Sequence, residues 1–301
     1  MKTRNNGFLS FANNFPTEES CIKYLEALRW KDGVISPFDK NSKVYKCKNG
    51  KYKCKNTGRY FDAKTGTVFA NTKLPLRFWF YAMFLFLSHK RGVSSCQLAR
   101  DLGITQKTAW IMLHKIRQYM ASENNHTLSG TVEIDETFVG GKNKNRHKDK
   151  KVEKCQGRSY KDKTPVFGIL ERDGKVIAKV VPNTKAQTLI PLIKAYVKNG
   201  STVNTDGWEY SGLSENYTQM SVDHEKHFYG TTYVTDDGEI ITICTNGIEN
   251  VWSHFKRMIF GTYYCVRKKY MQNYVDEYIF RFNTRKYTDS QRFELYLQNI
   301  S

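Results

Sequence analysis

Residues 131–142 read Thr-Val-Glu-Ile-Asp-Glu-Thr-Phe-Val-Gly-Gly-Lys, and this stretch decides which fold we predict. Val132 and Ile134 have the alternate spacing of a half-buried strand, which places Glu133 and Asp135 on its other face. The strand runs into a glycine turn and then into a run of basic residues. An acidic side chain at such a strand end is a candidate metal ligand. The alternative is that Asp135 is a turn residue that caps the strand.

The composition predicts a partner with many negative charges. The chain has 301 residues, long enough for two or three domains with their own cores. Its 48 basic and 29 acidic residues give a formal net charge of +19, and the sequence pI is about 9.5. Nucleic acid is the leading candidate for a partner of that charge. A basic protein kept soluble by its charge is the alternative, and a membrane-surface protein is disfavoured because no basic amphipathic anchor stands out.

The sequence has no segment that predicts a membrane protein or a secreted one. The longest apolar run, Phe78 to Leu87, has ten residues and is too short to span a bilayer. The N-terminus lacks the apolar core and cleavage site of a signal peptide. We therefore expect a cytoplasmic protein without membrane association, in which the seven cysteines stay reduced. Their odd number and scattered positions do not indicate a disulfide framework.

In the N-terminal segment 1–70, a short helix is predicted from Thr17 to about Trp30. Residues 31–70 then have the pattern of small strands and turns, with a hairpin signal at Asn49-Gly50. A zinc ribbon would need two Cys-x-x-Cys pairs to supply four thiolates. Cys54 has Thr57 where its partner would stand, and the loop 36–39, where the other pair would lie, contains no cysteine. We therefore predict a degenerate, zinc-ribbon-like segment without structural zinc.

Residues 71–126 are predicted to be helical. The stretch 75–88 is apolar on nearly every face, as expected for the buried helix of a small bundle. Residues 94–117 then give a helix, a turn at Gly103 and a second helix, which is the layout of a helix-turn-helix. The residues that open the second helix would reach base edges and phosphates; these are Gln106, Lys107 and Thr108. The polar stretch 121–130 is the predicted domain boundary.

A basic loop follows the opening strand. Residues 142–163 contain almost no apolar side chain, so a solvated and disordered loop is one interpretation. The other is that the loop neutralises phosphates and releases their counterions. Its candidate DNA contacts are Lys142, Lys144 and Arg146.

Two further acidic residues occur in similar surroundings. Residues 165–181 predict a hairpin, and after a helix the strand 201–205 runs into Asp206. A later helix begins at Asn246 and carries Glu249 in its first turn. Asn246 and Glu249 also have the spacing of a capping box, in which the glutamate satisfies a helix-end donor. That interpretation would need no catalytic role for Glu249.

Asp135, Asp206 and Glu249 follow a first strand, follow a fourth strand and open a late helix. This order is the layout of the ribonuclease-H-like fold, so we predict an α/β catalytic domain built on a mixed sheet. Three such carboxylates can hold two divalent cations for in-line phosphoryl transfer on DNA. The predicted parts are the zinc-ribbon-like segment, the helix-turn-helix domain and the ribonuclease-H-like domain, at residues 1–70, 71–126 and 127–301.

Several motifs give the chain a resemblance to a known family. The main ones are Val132–Lys142, Thr205–Trp208, Thr245–Arg257, Gly261–Tyr263 and Asp276–Arg285. Shorter ones lie upstream, at Gly66–Phe69, Lys73–Leu76 and Thr108–Trp110. Together they resemble the DDE transposases of bacterial insertion sequences, specifically the ISXO-like group, over most of the chain.

The resemblance implies that Asp135, Asp206 and Glu249 are a catalytic triad that binds two Mg²⁺ ions, with Mn²⁺ as a substitute. It also implies that Lys256, with Arg257 beside it on the same helix, contacts DNA near the reacting strand. The chain departs from the family in two places. Of the four ribbon cysteines only Cys54 clearly remains, so the ribbon is held by apolar packing or has a weakened role in binding DNA ends. The histidine expected before Thr245 is Cys244.

The resemblance therefore predicts a transposase that binds the terminal inverted repeats of its element, frees 3′-hydroxyls and joins them to target DNA. We expect at least a dimer on DNA, because two ends must be joined together. One alternative is a domesticated DNA-binding protein that has lost catalysis, and another is a stand-alone metal-dependent nuclease of the same fold. Inverted repeats flanking the coding region would favour the transposase.

Overall fold

The computed structural model describes residues 7–48, 50–141, 143–153, 159–206, 212–222, 231–234 and 240–300. By its internal contacts the chain divides into two compact units. The first unit contains the residues up to Tyr119 and those from Lys286 onward, and the second unit is Met120–Arg285. Among the described residues, no helix combines the length and the apolarity needed to cross a membrane.

The helices and strands are numbered in chain order. The described α-helices are α1 (Phe8–Asn14), α2 (Glu18–Arg29), α3 (Leu76–Ser88), α4 (Ser95–Leu102), α5 (Gln106–Gln118), α6 (Ala186–Tyr196), α7 (Asn246–Met258), α8 (Met271–Asn283) and α9 (Asp289–Ile300). The described strands are β1 (Val44–Lys46), β2 (Tyr52–Cys54), β3 (Tyr60–Phe61), β4 (Thr131–Val139), β5 (Thr164–Glu171), β6 (Val176–Val180), β7 (Thr202–Asp206), β8 (Thr218–Val222), β9 (Thr231–Val234) and β10 (Ile240–Ile243).

Helix α3 is the centre of the first unit. Its sequence is apolar on nearly every face, which predicted a buried helix. Other helices of this unit surround it in the structure. The ring of Phe80 contacts the rings of Phe15 and Phe293, with centroids 5.1 and 5.5 Å away. Phe293 belongs to α9, whose Tyr296 hydroxyl also donates to the carbonyl of Ile116 on α5 (2.8 Å). Residues 289–300, which lie within the predicted catalytic domain 127–301, therefore pack in the first unit.

The helix pair α4–α5 has the expected form. Gly103 ends α4 with φ 64°, a left-handed conformation that glycine adopts without strain. Thr105 then caps α5 by accepting a hydrogen bond from the backbone nitrogen of Thr108 (3.2 Å). Hydroxyl and glycine chemistry at this junction thus fixes where one helix ends and the next begins.

The short strands β1, β2 and β3 form an antiparallel sheet in that order. The hairpin between β1 and β2 was predicted, although Asn49 of its turn lies outside the described residues. Tyr52 and Phe61 are buried here, and Trp30 from the end of α2 packs edge-on against Tyr52, with ring centroids 5.0 Å apart. Aromatic packing therefore holds this small sheet together.

A mixed sheet organises the second unit. Its described strands lie in the order β6-β5-β4-β7-β8, and β9 pairs with β10 separately. β5 pairs antiparallel with both β4 and β6, whereas β4, β7 and β8 run parallel to one another. One face packs on α6 through residues that include Ile134 and Val203. The other face packs on α7 and α8 through Val166 and Val176.

Residues 121–130, predicted to be a polar linker, begin inside the second unit. Asn124 is fully buried, and its side chain donates to the carbonyl of Ala178 (2.6 Å) and to Asp276 (2.7 Å). It also accepts from the backbone nitrogen of Ala178 (2.9 Å). Asn124 thereby supplies hydrogen-bond partners to the backbone nitrogen and carbonyl of Ala178 on β6, an edge strand whose outer backbone groups have no neighbouring strand to pair with. The predicted boundary at residue 126 differs from the observed division for this reason.

Candidate active site

Asp135 and Asp206 lie at adjacent positions on two parallel strands. The last pair of β4 and β7 in register is Ile134 and Thr205. Asp135 and Asp206 are the next residues on these strands, so they are neighbours in the sheet. Asp206 ends β7, but Asp135 lies inside β4, where it pairs with Gly168 of β5, and does not follow the strand as the sequence predicted. Because Ile134 packs on the α6 face and side chains alternate, the two aspartates belong to the face covered by α7.

Glu249 approaches the same face from the first turn of α7. The helix packs closely on the sheet because Gly168 on β5 leaves room for the ring of Trp252. A Cβ atom at Gly168 would lie only 2.6 Å from Cη2 of that ring. The capping box between Asn246 and Glu249 is not formed: the residue that caps α7 is Thr245, and its side chain makes no capping hydrogen bond.

The charges of the three carboxylates interact. The pKa of Asp135 is raised to about 7, mainly by burial and also by the negative charges of Glu136, Asp206 and Glu249, against a hydrogen bond from the backbone of Glu136 that lowers it. Desolvation and like charges both disfavour the ionised form of a carboxyl group. The structure therefore brings the predicted triad close enough for mutual repulsion.

This pKa makes the stability of the metal-free protein depend on pH. The folded chain holds the Asp135 proton up to about pH 7, whereas an unfolded chain loses it near the ordinary value of 3.8. The contribution of Asp135 to stability is therefore fully present below about pH 4 and is lost as the pH rises through 7. Asp135→Asn should remove this slope and stabilise the protein at pH 8 by about 2 kcal/mol, roughly half of what the full shift implies.

Thermal unfolding from pH 4 to pH 8 in the presence of a chelator measures this effect. Asp149→Asn is the matched control, because Asp149 is an exposed carboxylate in the same unit. Parallel curves for the wild type and Asp135→Asn would show that the raised pKa is not a property of the folded protein.

The carboxylates of Asp135, Asp206 and Glu249 are chemically suitable ligands for a divalent cation. Carboxylate oxygens are the ligands that Mg²⁺ and Mn²⁺ prefer, and a cation would offset the repulsion that raises the pKa of Asp135. Among the described residues, however, no three histidine, cysteine or acidic side chains are grouped closely enough to hold a metal ion. The three carboxylates would therefore have to draw together around a cation.

Glu133 is a buried acid that the sequence did not identify as important. It is 3% exposed, and its Oε2 accepts a hydrogen bond from the backbone nitrogen of Ile248 (3.0 Å). Gly247 allows this approach, because a Cβ there would lie 2.7 Å from the same oxygen. Glu133 thus holds the N-terminus of α7 against β4, and Glu249 is the next residue of that turn.

Arg172 completes this contact. Its guanidinium donates to Glu133 (3.1 Å), to the carbonyl of Thr242 (2.7 Å) and to the sulfur of Cys244 (3.3 Å). It therefore joins β4 to the chain that enters α7. Cys244 stands where the family resemblance predicted a histidine. The period of two in β4 placed Glu133 on the same face as Asp135, but no feature of the sequence indicated Arg172 as its partner.

The predicted DNA contacts of the second unit differ in their surroundings. Arg257 in the last turn of α7 and Lys144 in a short 3₁₀ helix are exposed, and Lys256 is half-buried. Arg146 forms an ion pair with Asp162, so its charge is offset in this structure. Lys142 lies outside the described residues, as do Gly207 and Trp208 of the second family motif.

The predicted DNA contacts of the first unit lie at the start of α5. Gln106 and Lys107 are exposed, while Thr108 is half-buried and its hydroxyl is hydrogen-bonded to that of Thr105 (2.8 Å). Gln106 donates to the hydroxyl of Ser95 on α4 (2.7 Å). Of these three, Lys107 is the one whose charge is presented to solvent.

Cys54 lies where the zinc-ribbon pattern would place a metal ligand. It is buried, and hydrogen bonds from the hydroxyl groups of Ser36, Ser42 and Thr57 lower the pKa of its thiol to about 6. Ser36 and Thr57 lie at positions where the ribbon pattern calls for cysteines. Three hydroxyl groups therefore surround the remaining sulfur.

Comparison with known proteins gives two family matches. The family described as the ISXO2-like transposase domain matches residues 127–283, and the transposase zinc-ribbon domain matches residues 16–58. The chain is also 30% identical over 225 residues to an uncharacterized protein in transposable element ISH50 of Halobacterium salinarum, covering 70% of this chain and 75% of that protein. An uncharacterized transposase-like protein of Haemophilus influenzae is 32% identical over 112 residues, covering 36% and 81% respectively.

These matches agree with the resemblance inferred from the motifs. The transposase domain alone accounts for more than half of the chain, and it contains the candidate triad. The zinc-ribbon match covers the segment around Cys54, although its other metal-binding positions are not cysteines here. The chain therefore belongs to the family of ISXO2-like transposases.

Proposed function

We propose that this chain is an active DNA transposase that cuts DNA at the terminal inverted repeats of its element and joins the freed 3′-hydroxyls to target DNA. The observation that carries the proposal is the pair Asp135 and Asp206 on neighbouring parallel strands, with Glu249 entering the same face from α7. Because the chain belongs to a transposase family, DNA is the partner that we infer. In this proposal the protein acts in the cytoplasm and assembles at least as a dimer on DNA.

The topology supports a ribonuclease-H-like catalytic domain. Three antiparallel strands are followed by two that run parallel to the first, in the order β6-β5-β4-β7-β8. Helices cover both faces. The first acid lies on the middle strand, the second ends its parallel neighbour and the third is in the first turn of a helix packed across them. This arrangement brings distant parts of the sequence together.

The acidic side chains of the site have two different roles in this proposal, metal binding and positioning of α7. Asp135, Asp206 and Glu249 would hold two Mg²⁺ or Mn²⁺ ions through their carboxylate oxygens. When bound, the ions would activate the attacking oxygen and stabilise the leaving oxygen of the phosphodiester. With a pKa of about 7, Asp135 must give up a proton before its oxygens can serve as ligands. Glu133 holds the start of α7 so that Glu249 stays on the reacting side.

The basic residues of both units would bind the DNA backbone and bases. We propose that α4 and α5 act as a helix-turn-helix that reads the terminal repeats through Gln106, Lys107 and Thr108. Lys256 and Arg257 would contact the reacting strand, and Lys142, Lys144 and Arg146 would neutralise phosphates around it.

We further propose that the ribbon segment folds without zinc. A single thiol among three hydroxyl groups lacks the soft ligands of a structural zinc site. We expect metal analysis of the purified protein to find far less than one zinc per chain. A chelator should leave the melting temperature unchanged, whereas structural zinc sites lose their fold when the metal is removed. One zinc per chain would overturn this part of the proposal.

A strand-transfer assay tests the proposed function. The full chain is incubated with DNA that carries the sequences flanking its gene, with Mg²⁺ or Mn²⁺ and separately with a chelator. We expect joined products only when the metal is present. Cleavage without joining would favour a nuclease, and binding of the ends without cleavage would favour a DNA-binding protein that has lost its activity.

A further inference from the structure

Residues 256–270 begin in the last turn of α7 and continue beyond its end, and they carry basic side chains but no acidic one. We call them the post-α7 segment. It contains five basic residues and no carboxylate; these are Lys256, Arg257, Arg267, Lys268 and Lys269. All except Lys256 are exposed. A surface of this composition attracts a polyanion.

Two aromatic rings stand out from the same segment. Tyr264 is 86% exposed and Phe260 is 51% exposed. Tyr264 also has a positive φ of 65°. The other non-glycine residues with positive φ in the described chain are Asn71 and Asp173, whose short polar side chains tolerate that conformation. For a tyrosine it is strained, and strain of this kind is retained where the surrounding structure enforces it, often at functional sites.

The backbone that presents Tyr264 is firmly held. Ile259–Tyr263 form a π-helical turn, which the nitrogen of Tyr264 closes on the carbonyl of Ile259 (2.7 Å). The hydroxyl of Tyr263 donates to Glu277 on α8 (2.6 Å), and Arg281 pairs with the same fully buried carboxylate (2.9 Å). Turns of this type occur often at functional sites. The fold therefore fixes Tyr263 inward and leaves the ring of Tyr264 in solvent.

We propose that the post-α7 segment binds an unpaired DNA base, with the ring of Tyr264 stacked on that base and the exposed cations on the adjoining phosphates. The proposal rests on the proposed function and specifies the form of the substrate. An aromatic side chain stacks on a base only where the face of the base is free, which duplex DNA does not offer except at an end, a gap or an extruded nucleotide. Phe260 supplies a second apolar ring four residues before Tyr264.

A second copy of the chain is a poorer occupant of this surface. Symmetric dimers place the same patch of both subunits in contact, so the exposed cations would face one another. The segment has no acidic residue to offset them. DNA instead supplies both charge complementarity and flat apolar surfaces.

The separation of Tyr264 from Glu249 limits where the unpaired base lies. Tyr264 is fifteen residues beyond Glu249. At 1.5 Å per residue this is at most roughly 23 Å, or about seven nucleotides at 3.4 Å each. The base should therefore be found within about seven nucleotides of the reacting phosphodiester.

The test uses the full chain and duplexes of the flanking DNA that carry 2-aminopurine near the cleaved end, either paired with thymine or left opposite an abasic site. Tyr264→Gly removes the ring and suits the observed φ, so the fold should be at least as stable as that of the wild type. We expect it to weaken binding of the unpaired probe by roughly 5- to 150-fold, the range for one stacked base, and to leave binding of the paired probe unchanged. Tyr264→Phe keeps the ring and should bind like the wild type.

Lys268→Ala is the matched control for charge, because loss of a phosphate contact should weaken binding of both probes to the same extent. Equal binding of the unpaired probe by the wild type and Tyr264→Gly would overturn the inference and leave the proposed function intact. An equal loss for both probes would also overturn it, since the ring would then contact duplex DNA. Failure of the wild type to bind either probe would instead count against the proposed function.

Discussion

Asp206→Ala is expected to abolish strand cleavage and joining while leaving the protein folded. Asp206 ends β7 beside Asp135, so the substitution removes one of the carboxylates that we propose as metal ligands. Loss of a residue that acts in a catalytic group typically lowers the rate by more than about a thousandfold. The expected readout is loss of joined product at saturating Mg²⁺, with end binding retained.

The same substitution provides its own test of folding. The charge of Asp206 helps to raise the pKa of Asp135, so its removal should lower that pKa and relieve repulsion in the metal-free protein. The melting temperature in the presence of a chelator should therefore be maintained or rise. Asp149→Ala, at an exposed carboxylate of the same unit, should change neither activity nor stability. Retained joining activity in Asp206→Ala would remove this residue from the catalytic site.

Much of the catalytic unit could be predicted because local patterns there coincide with the tertiary contacts. The alternation of Val132 and Ile134 predicted β4, and the pattern of residues 165–181 predicted the hairpin of β5 and β6. The two aspartates could be assigned to one site because each was expected near the end of a strand, although Asp135 lies inside β4 and not after it. The distances that a metal site requires could not be predicted, because they depend on side-chain positions that no local pattern fixes.

Contacts between distant parts of the sequence were missed for a physical reason. The helix α9 has an ordinary amphipathic pattern, and its pairing with Phe11 and Phe80 depends on where the chain returns in space. Asn124 has a polar composition that suits a linker, yet it is buried because β6 offers backbone groups that need partners. Hydrogen bonding, rather than hydropathy, decides the position of such residues.

Glu133→Ala is expected to destabilise the protein strongly and to disturb the site through α7. The substitution leaves the nitrogen of Ile248 without its acceptor and Arg172 without its acid. Breaking a buried ion pair costs roughly 3–5 kcal/mol. The side chain of Arg172 is 31% exposed, so we expect a value near 3 kcal/mol, at the lower end of that range. Chemical denaturation of the metal-free protein measures this loss.

Glu133→Gln separates the two contacts of this side chain. The amide oxygen can still accept from Ile248, so the start of α7 should stay in place, while the charge opposite Arg172 is lost. We expect a loss of roughly 1 kcal/mol, close to the value of a single hydrogen bond. In a double-mutant cycle with Arg172→Met, the coupling between the two substitutions reports the ion pair itself.

A positioning role for Glu133 requires more than a loss of stability. If Glu133 fixes Glu249 through α7, the variants should need more Mg²⁺ for half-maximal cleavage at a temperature where they remain folded, and Glu133→Ala should need more than Glu133→Gln. Metal-induced stabilisation, measured as a shift in melting temperature, should require higher Mg²⁺ in the same order, which gives a readout that does not depend on turnover. End binding by α5 should not change. Variants that lose stability but keep the wild-type Mg²⁺ requirement would show that Glu133 supports the fold alone.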